Sequence, residues 1–520
     1  MTNCNKPLVS IDIFDTAIFR RYYKPDDLLK SFHPDYIKDF YDLRKKAENK
    51  ARELKPHYNL DDIYHFMPLY SQHLQQKEIE EEVFSCYANP EILEMYNKQE
   101  ADYIFISDMY LSSAVLEIML EQCGYENPTI FVSCECDSHK ADGSLFKYAE
   151  KELGRHIIKH YGDNYVADVI GARKANIEPV FKPALHQIKL NLPPVKDSIL
   201  KKYLAATETD NKKDRIQKLA CWYTPIMLKF TDWILNKRQD AQQGIFFVSR
   251  DMFIPYLLAK YVFNATNIHY IHASRRSLAP ISLKCEDKLL RERIKLIYSQ
   301  KEIDTYLDSD TSDIEKYFAK TGIKNGDIFA DIGYAGTIQY SIEKLLNIRL
   351  KGLYLQTHDK LVKKMNTEKF FNRETIQFCL LVEFPFCSPE NNVIGYDDGK
   401  PVFSEDSKDR RDYSVKFMRE ILSEAKKIKN ILPDIDVSDL EQILIHIQYY
   451  ADDELMEIYN RKIFSNREEK ESIIGYDRSE IAKGKLFSCF DRSYSKPLFK
   501  KMLAADKEYS HLSKLLEYEL

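Results

Sequence analysis

The feature that most constrains this chain is a rhythm of short apolar runs separated by stretches of helix length. In the first third the runs are LVSID (8–12), YIFIS (103–107), TIFVS (129–133), IIKHY (157–161) and EPVF (178–181). Runs that stay apolar rather than alternating mark strands buried on both faces, and helix-length spacers favour parallel crossover connections. The rhythm returns in GIFFVS (244–249), NIHYIHAS (267–274), DIFAD (327–331), LKGLYLQT (350–357) and TIQFCLLVEF (375–384). The expected fold class is therefore α/β, with two parallel-sheet domains and a helical C-terminal region.

At 520 residues the chain exceeds what one core can organise. The first domain is expected over 1–190, with a helical insertion at about 24–100 that is rich in Lys, Glu, Leu and Tyr. The Pro pair and charged run of 191–215 read as a linker. The second domain is expected over 216–405, followed by helices with charged faces over 406–520.

Composition narrows the class. A net charge of −5 without a long basic run argues against nucleic acid as a partner. No window approaches 18 apolar residues, and the N-terminus carries no secretory pattern. Ten cysteines occur with no CxxC pair, which suits reduced thiols in a cytoplasmic protein.

Parallel sheets gather functional groups at the C-terminal ends of their strands. In the first domain those ends carry Asp12 with Thr16, then Ser107, then Lys140 within SHKADGSLF, then Asp163 and Asp168 within GDNYVAD. Ser107 and Lys140 suit phosphoryl oxygens, Asp12 and Asp163 suit a Mg²⁺ ion, and Asp12 suits a nucleophile. Four ordered signals carry more weight than any strand-end aspartate alone, which is most often a helix N-cap.

On these residues the stretch 6–185 resembles the haloacid dehalogenase-like hydrolases, whose four motifs align with Asp12 to Thr16, Ser107, Lys140, and Gly162-Asp163-Asn164 with Asp168. The resemblance implies an Asp12 nucleophile, a mobile cap in the helical insertion, and Mg²⁺ held around Asp12, the Phe14 position, Asp163 and Asp168. One departure stands out. The family's phosphatases place an acid two residues after the nucleophile, and here that residue is Phe14. Asp15 is expected to point to the opposite face.

In the second domain, Ser249-Arg250-Asp251 and Ser274-Arg275-Arg276 end two runs at the spacing of one strand–helix–strand unit. In ADIGYAGTIQ, Asp331 closes a strand, Gly333 and Gly336 permit a tight turn, and Thr337 opens a helix. A helix N-terminus and arginine forks both favour phosphate, and Asp251 and Asp331 suit Mg²⁺ or a cationic sugar transition state.

FFVSRDM, HASRRS, ADIGYAGTIQ and VEFPFCSPENNVIGYDDG resemble the phosphoribosyltransferase-type domain fused behind a dehalogenase-like domain in bacterial surface-polysaccharide biosynthesis. The resemblance implies transfer of 5-phosphoribosyl from phosphoribosyl diphosphate to a glycan or lipid-linked sugar acceptor, then removal of the 5-phosphate to leave ribofuranose. No membrane span is implied, only peripheral association with glycan-synthesis machinery. Glu383 reads equally as an acceptor-side base or a buried ion-pair partner. Two other readings stand beside this one: a phosphatase with a phosphate-ligand-binding regulatory domain, and a non-catalytic glycan-assembly protein.

Overall fold

The computed structural model describes residues 6–31, 39–71, 73–357, 360–372, 382, 388–405, 408–429, 435–460, 464–465, 470–471, 474, 476–486, 489–490, 493 and 496–516. The chain divides into two compact units, Met1–Asn191 with Ser198–Ala206, and Leu192–Asp197 with Thr207–Leu520.

The first unit is built on β1 (Leu8–Ile11), β4 (Asp102–Ser107), β5 (Thr129–Val132), β6 (Ile157–Gly162) and β7 (Glu178–Phe181). They form one parallel sheet in the order β5-β4-β1-β6-β7. β1 is central because its four residues, LVSI, are all buried. Alternation along β4 feeds both faces: Phe105 joins one apolar cluster, whereas Ile104 and Ile106 join another with Leu145, Phe146 and Ala172.

A short antiparallel ribbon of β2 (Ile18–Arg20) and β3 (Cys86–Ala88) closes the base of the helical insertion. Its helices include Pro25–Ser31, Phe40–Leu54, Leu60–His65 and Leu74–Ser85, and their apolar faces share a cluster with Ile11 and Phe105. Arg44, fully buried, ties them by donating to Glu78 from Nη2 (2.8 Å) and Nε (2.9 Å). The insertion ends near 85, not 100. Asn89 accepts from the Glu91 amide and Pro90 opens a helix over Pro90–Asn97, which is the crossover into β4.

The expected linker is also corrected. Residues 198–209 form a helix, and Leu200, Leu204 and Ala205 are wholly buried. The apolar pair at i and i+4 supplies a face that the charged residues around it disguise.

In the second unit β8 (Ile245–Val248), β9 (Ile268–Ile271), β10 (Ile328–Asp331), β11 (Lys351–Tyr354) and β12 (Asn366–Lys369) form a parallel sheet in the order β12-β11-β10-β8-β9. The expected strand at 375–384 lies almost wholly outside the described residues, where only Val382 is placed. The polar β12 flanks β11 instead, with Glu368 paired to Lys351 at 3.0 Å. β13 (Val393–Asp397) and β14 (Lys400–Phe403) form a hairpin whose turn residues, Asp398 and Gly399, both adopt positive φ, 46° and 65°.

A 22-residue helix, Arg215–Asn236, opens with an Asp214–Gln217 capping box. It buries Tyr223 against Phe417 of the helix Lys408–Ile428 and against the Tyr459 hydroxyl at 2.7 Å. Among the described residues, the regular elements of the C-terminal region are helices and two-residue strands at Phe464–Ser465 and Lys470–Glu471. Among the described residues, no helix is long and apolar enough to cross a membrane.

Candidate functional site

In the first unit three adjacent strands deliver two of the expected acids and the expected serine. Ile11 is level with Phe105 of β4 and Tyr161 of β6, so Asp12, Ser107 and Asp163 emerge at one rim where the connections reverse direction. Asp12 is anchored through its amide to the Tyr161 carbonyl at 2.8 Å. Ligand atoms of Asp12, Asp163 and Asp168 all lie within 4.8 Å of one another.

Lys140 completes the group. Its ammonium donates to Asp12 and, at 2.6 Å, to Asp168, and it is 3% exposed. Two glycines permit this approach. A Cβ on Gly171 would collide with the Lys140 carbonyl, and one on Gly162 with the Asp168 side chain. Asp108 fixes the lysine's backbone by accepting from its amide at 3.0 Å.

Asp168 is held from behind as well. His160 Nε2 lies 3.1 Å from its carboxylate and His160 Nδ1 lies 2.8 Å from the Ser10 hydroxyl. The Asn164 amide donates to Asp168 at 2.8 Å, while the Asn164 side chain caps Val166 and Ala167. Burial opposes ionisation of Asp168, but Lys140 and His160 outweigh it and hold its carboxyl below the usual range. Burial pushes Asp12 upward against the pull of Lys140. Burial, then Asp15 and Asp168, push Asp163 up to about 7. Burial likewise opposes a charged Lys140, and the neighbouring carboxylates reverse that.

Three carboxylates against one ammonium leave negative charge unbalanced, and the donors are all hard oxygens. That set fits Mg²⁺. The Phe14 side chain has no ligand atom to offer, and its ring packs beneath Arg20, 3.9 Å from the guanidinium carbon. Arg20 is in turn gripped by Glu82 at 2.7 and 3.2 Å, which ties the Phe14 position to the base of the insertion.

Thr16 Oγ1 is buried without a partner, and a buried orphan hydroxyl at this rim suits an incoming oxyanion. Asp15 departs from the expectation. It takes a left-handed φ of 54°, its charge acts on Asp163, and Lys202 of the helix Ser198–Thr209 reaches it at 3.8 Å. The expected alternation failed because it assumes extended backbone, which ends before Asp15.

The second unit also places its groups at one rim. Val248 is level with Ile271, and Phe247 with Ala330, so Asp331, Ser249-Arg250 and His272 leave three neighbouring strands side by side. This is again the point where strand order reverses. Arg250 adopts a φ of 71°, donates from Nε to Asp251 at 3.2 Å, and donates from Nη1 to Asn392. Arg275 and Arg276 lie in the turn after β9, where Ser274 and Ser277 cap each other's amides at 3.0 and 2.9 Å.

Gly333 has a φ of 115°, and a Cβ there would collide with the Gln356 carbonyl. Gly336 caps the helix Thr337–Leu346, whose first residue, Thr337, carries a second buried orphan hydroxyl. Glu383 lies outside the described residues.

Sequence reasoning missed His160, Lys202, Tyr270, His272, Glu390 and Asn392. HASRRS and PENN were visible as motifs, but only Arg275 and Arg276 of the first were read as chemistry. Comparison with protein-family models and with curated proteins returned no match.

Proposed function

We propose that the chain is a bifunctional cytoplasmic enzyme of surface-glycan synthesis. Its second unit transfers 5-phosphoribosyl from phosphoribosyl diphosphate to a sugar hydroxyl, and its first unit removes the 5-phosphate. The observation that carries the reading is the Lys140 ammonium held between Asp12 and Asp168, with Asp163 in ligand range and the Thr16 hydroxyl unpartnered. In the proposed hydrolysis Asp12 attacks phosphorus while Lys140 and Thr16 meet the phosphoryl oxygens. Mg²⁺ would be held by Asp12, Asp163 and Asp168 and would supply further neutralisation of phosphoryl charge. Dehalogenase-like and phosphoribosyltransferase-like character rest on motif resemblance together with these two rims.

The second unit supports the transfer step with Arg250, Asp251 and Asp331 at one rim beside the Gly333–Thr337 turn. Diphosphate departure builds positive charge on the sugar and negative charge on the leaving group, for which carboxylates and an arginine are the matched pair. The test is mass spectrometry of products from purified protein, Mg²⁺, phosphoribosyl diphosphate and synthetic or lipid-linked sugar acceptors. Asp12→Asn is expected to leave an extra phosphate on the product, and Asp331→Asn to add no ribosyl group. Wild-type protein that releases no diphosphate with any acceptor would sink the proposal.

A further inference from the structure

An acceptor hydroxyl that attacks the anomeric carbon must surrender its proton, and Glu383, the sequence's candidate for that task, lies outside the described residues. Asp251 accepts a hydrogen bond from Arg250 Nε at 3.2 Å, and Asp331 is only 7% exposed. At the same rim, one residue past β9, stands His272. Its Nε2 lies 3.4 Å from Glu390, and its side chain is 24% exposed, so an incoming group can reach it.

The surroundings fix this imidazole. Its backbone amide donates to the Tyr317 hydroxyl at 2.7 Å, from the helix Ser312–Thr321, and its carbonyl accepts the Tyr396 hydroxyl of β13 at 2.8 Å. Its ring packs edge-on against Tyr270 at 5.2 Å and Phe403 of β14 at 5.4 Å. The Tyr270 hydroxyl accepts the Arg250 amide at 2.8 Å and donates to Glu390 at 3.2 Å. A single polar chain thus runs from Arg250 through Tyr270 and Glu390 to His272. The anionic group paired with the ring is Glu390, and Arg250 joins the same chain through its amide to Tyr270.

We infer that His272, oriented by Glu390, is the catalytic base that takes the proton of the acceptor hydroxyl. The inference rests on the transferase reading above. A carboxylate at Nε2 keeps the proton on that nitrogen and leaves Nδ1 as the basic one. As the acceptor oxygen bonds to the anomeric carbon, the carbon–diphosphate bond breaks with its electron pair. The hydroxyl proton passes to Nδ1 and is later returned to water. Glu390 is a positioning residue, and contact with His272 holds its carboxyl below the usual range.

The experiment uses full-length Asp12→Asn protein, which silences phosphate removal, as the parent. Diphosphate release from phosphoribosyl diphosphate is followed with water as acceptor between about pH 5 and 9, and donor affinity is measured by calorimetry. In His272→Asn, release should fall by about 10²–10⁴-fold, the acid limb of the pH profile should vanish, and donor affinity should persist. Glu390→Gln should lower the release rate while donor affinity persists, because it removes the carboxylate that orients the imidazole. Unchanged donor affinity also certifies folding. An intact rate or acid limb in His272→Asn would overturn the assignment, as would a donor affinity that falls in step with rate. A parent that binds no donor overturns the transferase reading itself, and with it this role. Binding without release in the parent, with water and with sugar acceptors alike, likewise overturns the transferase reading, whereas release that survives His272→Asn overturns the base alone.

Discussion

The two rims solve the same problem with opposite degrees of enclosure. In the first unit the charged groups pack against one another in the interior: Lys140 is 3% exposed and touches two of three clustered carboxylates. In the second unit the rim is assembled from separate segments, with Arg250 bridging to Asp251 and Asn392 and with Glu390 reaching His272. The first rim is therefore part of the core's electrostatics, while the second sits on top of its sheet. Substitutions should cost stability in the first and ligand affinity in the second.

Lys140→Ala should give the largest effect. It strands buried carboxylates, so chemical denaturation should show a loss of about 3–5 kcal/mol. Added Mg²⁺ should recover more stability in this variant than in the parent. Equal recovery in both would break the contrast.

Gly333→Ala comes next. It puts a side chain where the Gln356 carbonyl sits, at a positive φ, and should cost about 1–3 kcal/mol or more. Thermal melting checks this, and it is the one place where the second rim should respond like the first.

Arg250→Ala should change the melting temperature little, because its ion pair with Asp251 is partly open to solvent at 16% and 20% side-chain exposure. Affinity for phosphoribosyl diphosphate should fall at least about tenfold, the loss of roughly one charged hydrogen bond. Calorimetry that shows the reverse pattern would erase the distinction between the rims.

Asp163 gives a pH signature. Its folded carboxyl is pushed up to about 7, so the folded protein holds a proton that the unfolded chain releases near about pH 4. The stabilisation is present below that lower value and is lost as pH rises through the folded one. In metal-free protein, Asp163→Asn should be neutral near about pH 4 and should raise the melting temperature near about pH 8.

The smallest effect belongs to Phe14→Leu. It removes the ring beneath Arg20 and should cost about 0.5–2 kcal/mol. Phosphate release from an aryl ester should be unaffected, since Phe14 offers no acid to lose.

The parallel sheets were legible because β1, β8 and β10 are buried on both faces and are dominated by apolar residues. The first rim was legible because its acids sit on strand ends or one turn beyond. What escaped notice had a physical reason in each case. β12 is polar, NTEK, and so carries no apolar signal. The hairpin at 393–403 announced itself through Asp398-Gly399, but weak alternation around that dipeptide hid it. Lys202 arrives from a stretch whose charge suggested a linker, and Asp15 turned because its backbone is left-handed. Periodicity cannot report on long-range returns of this kind.

The return of residues 198–206 to the first unit has a consequence for how the gene can be cut. Because 192–197 belong to the second unit and 207 onward resumes it, the polypeptide passes between units three times rather than once. A ribosome that has released residue 191 has not yet supplied Lys202, so the neighbour of Asp15 arrives only after the sheet's last strand has been made. Recombination at the Pro pair would part Asp15 from that lysine, which makes this junction a poor place for evolution, or an engineer, to exchange modules.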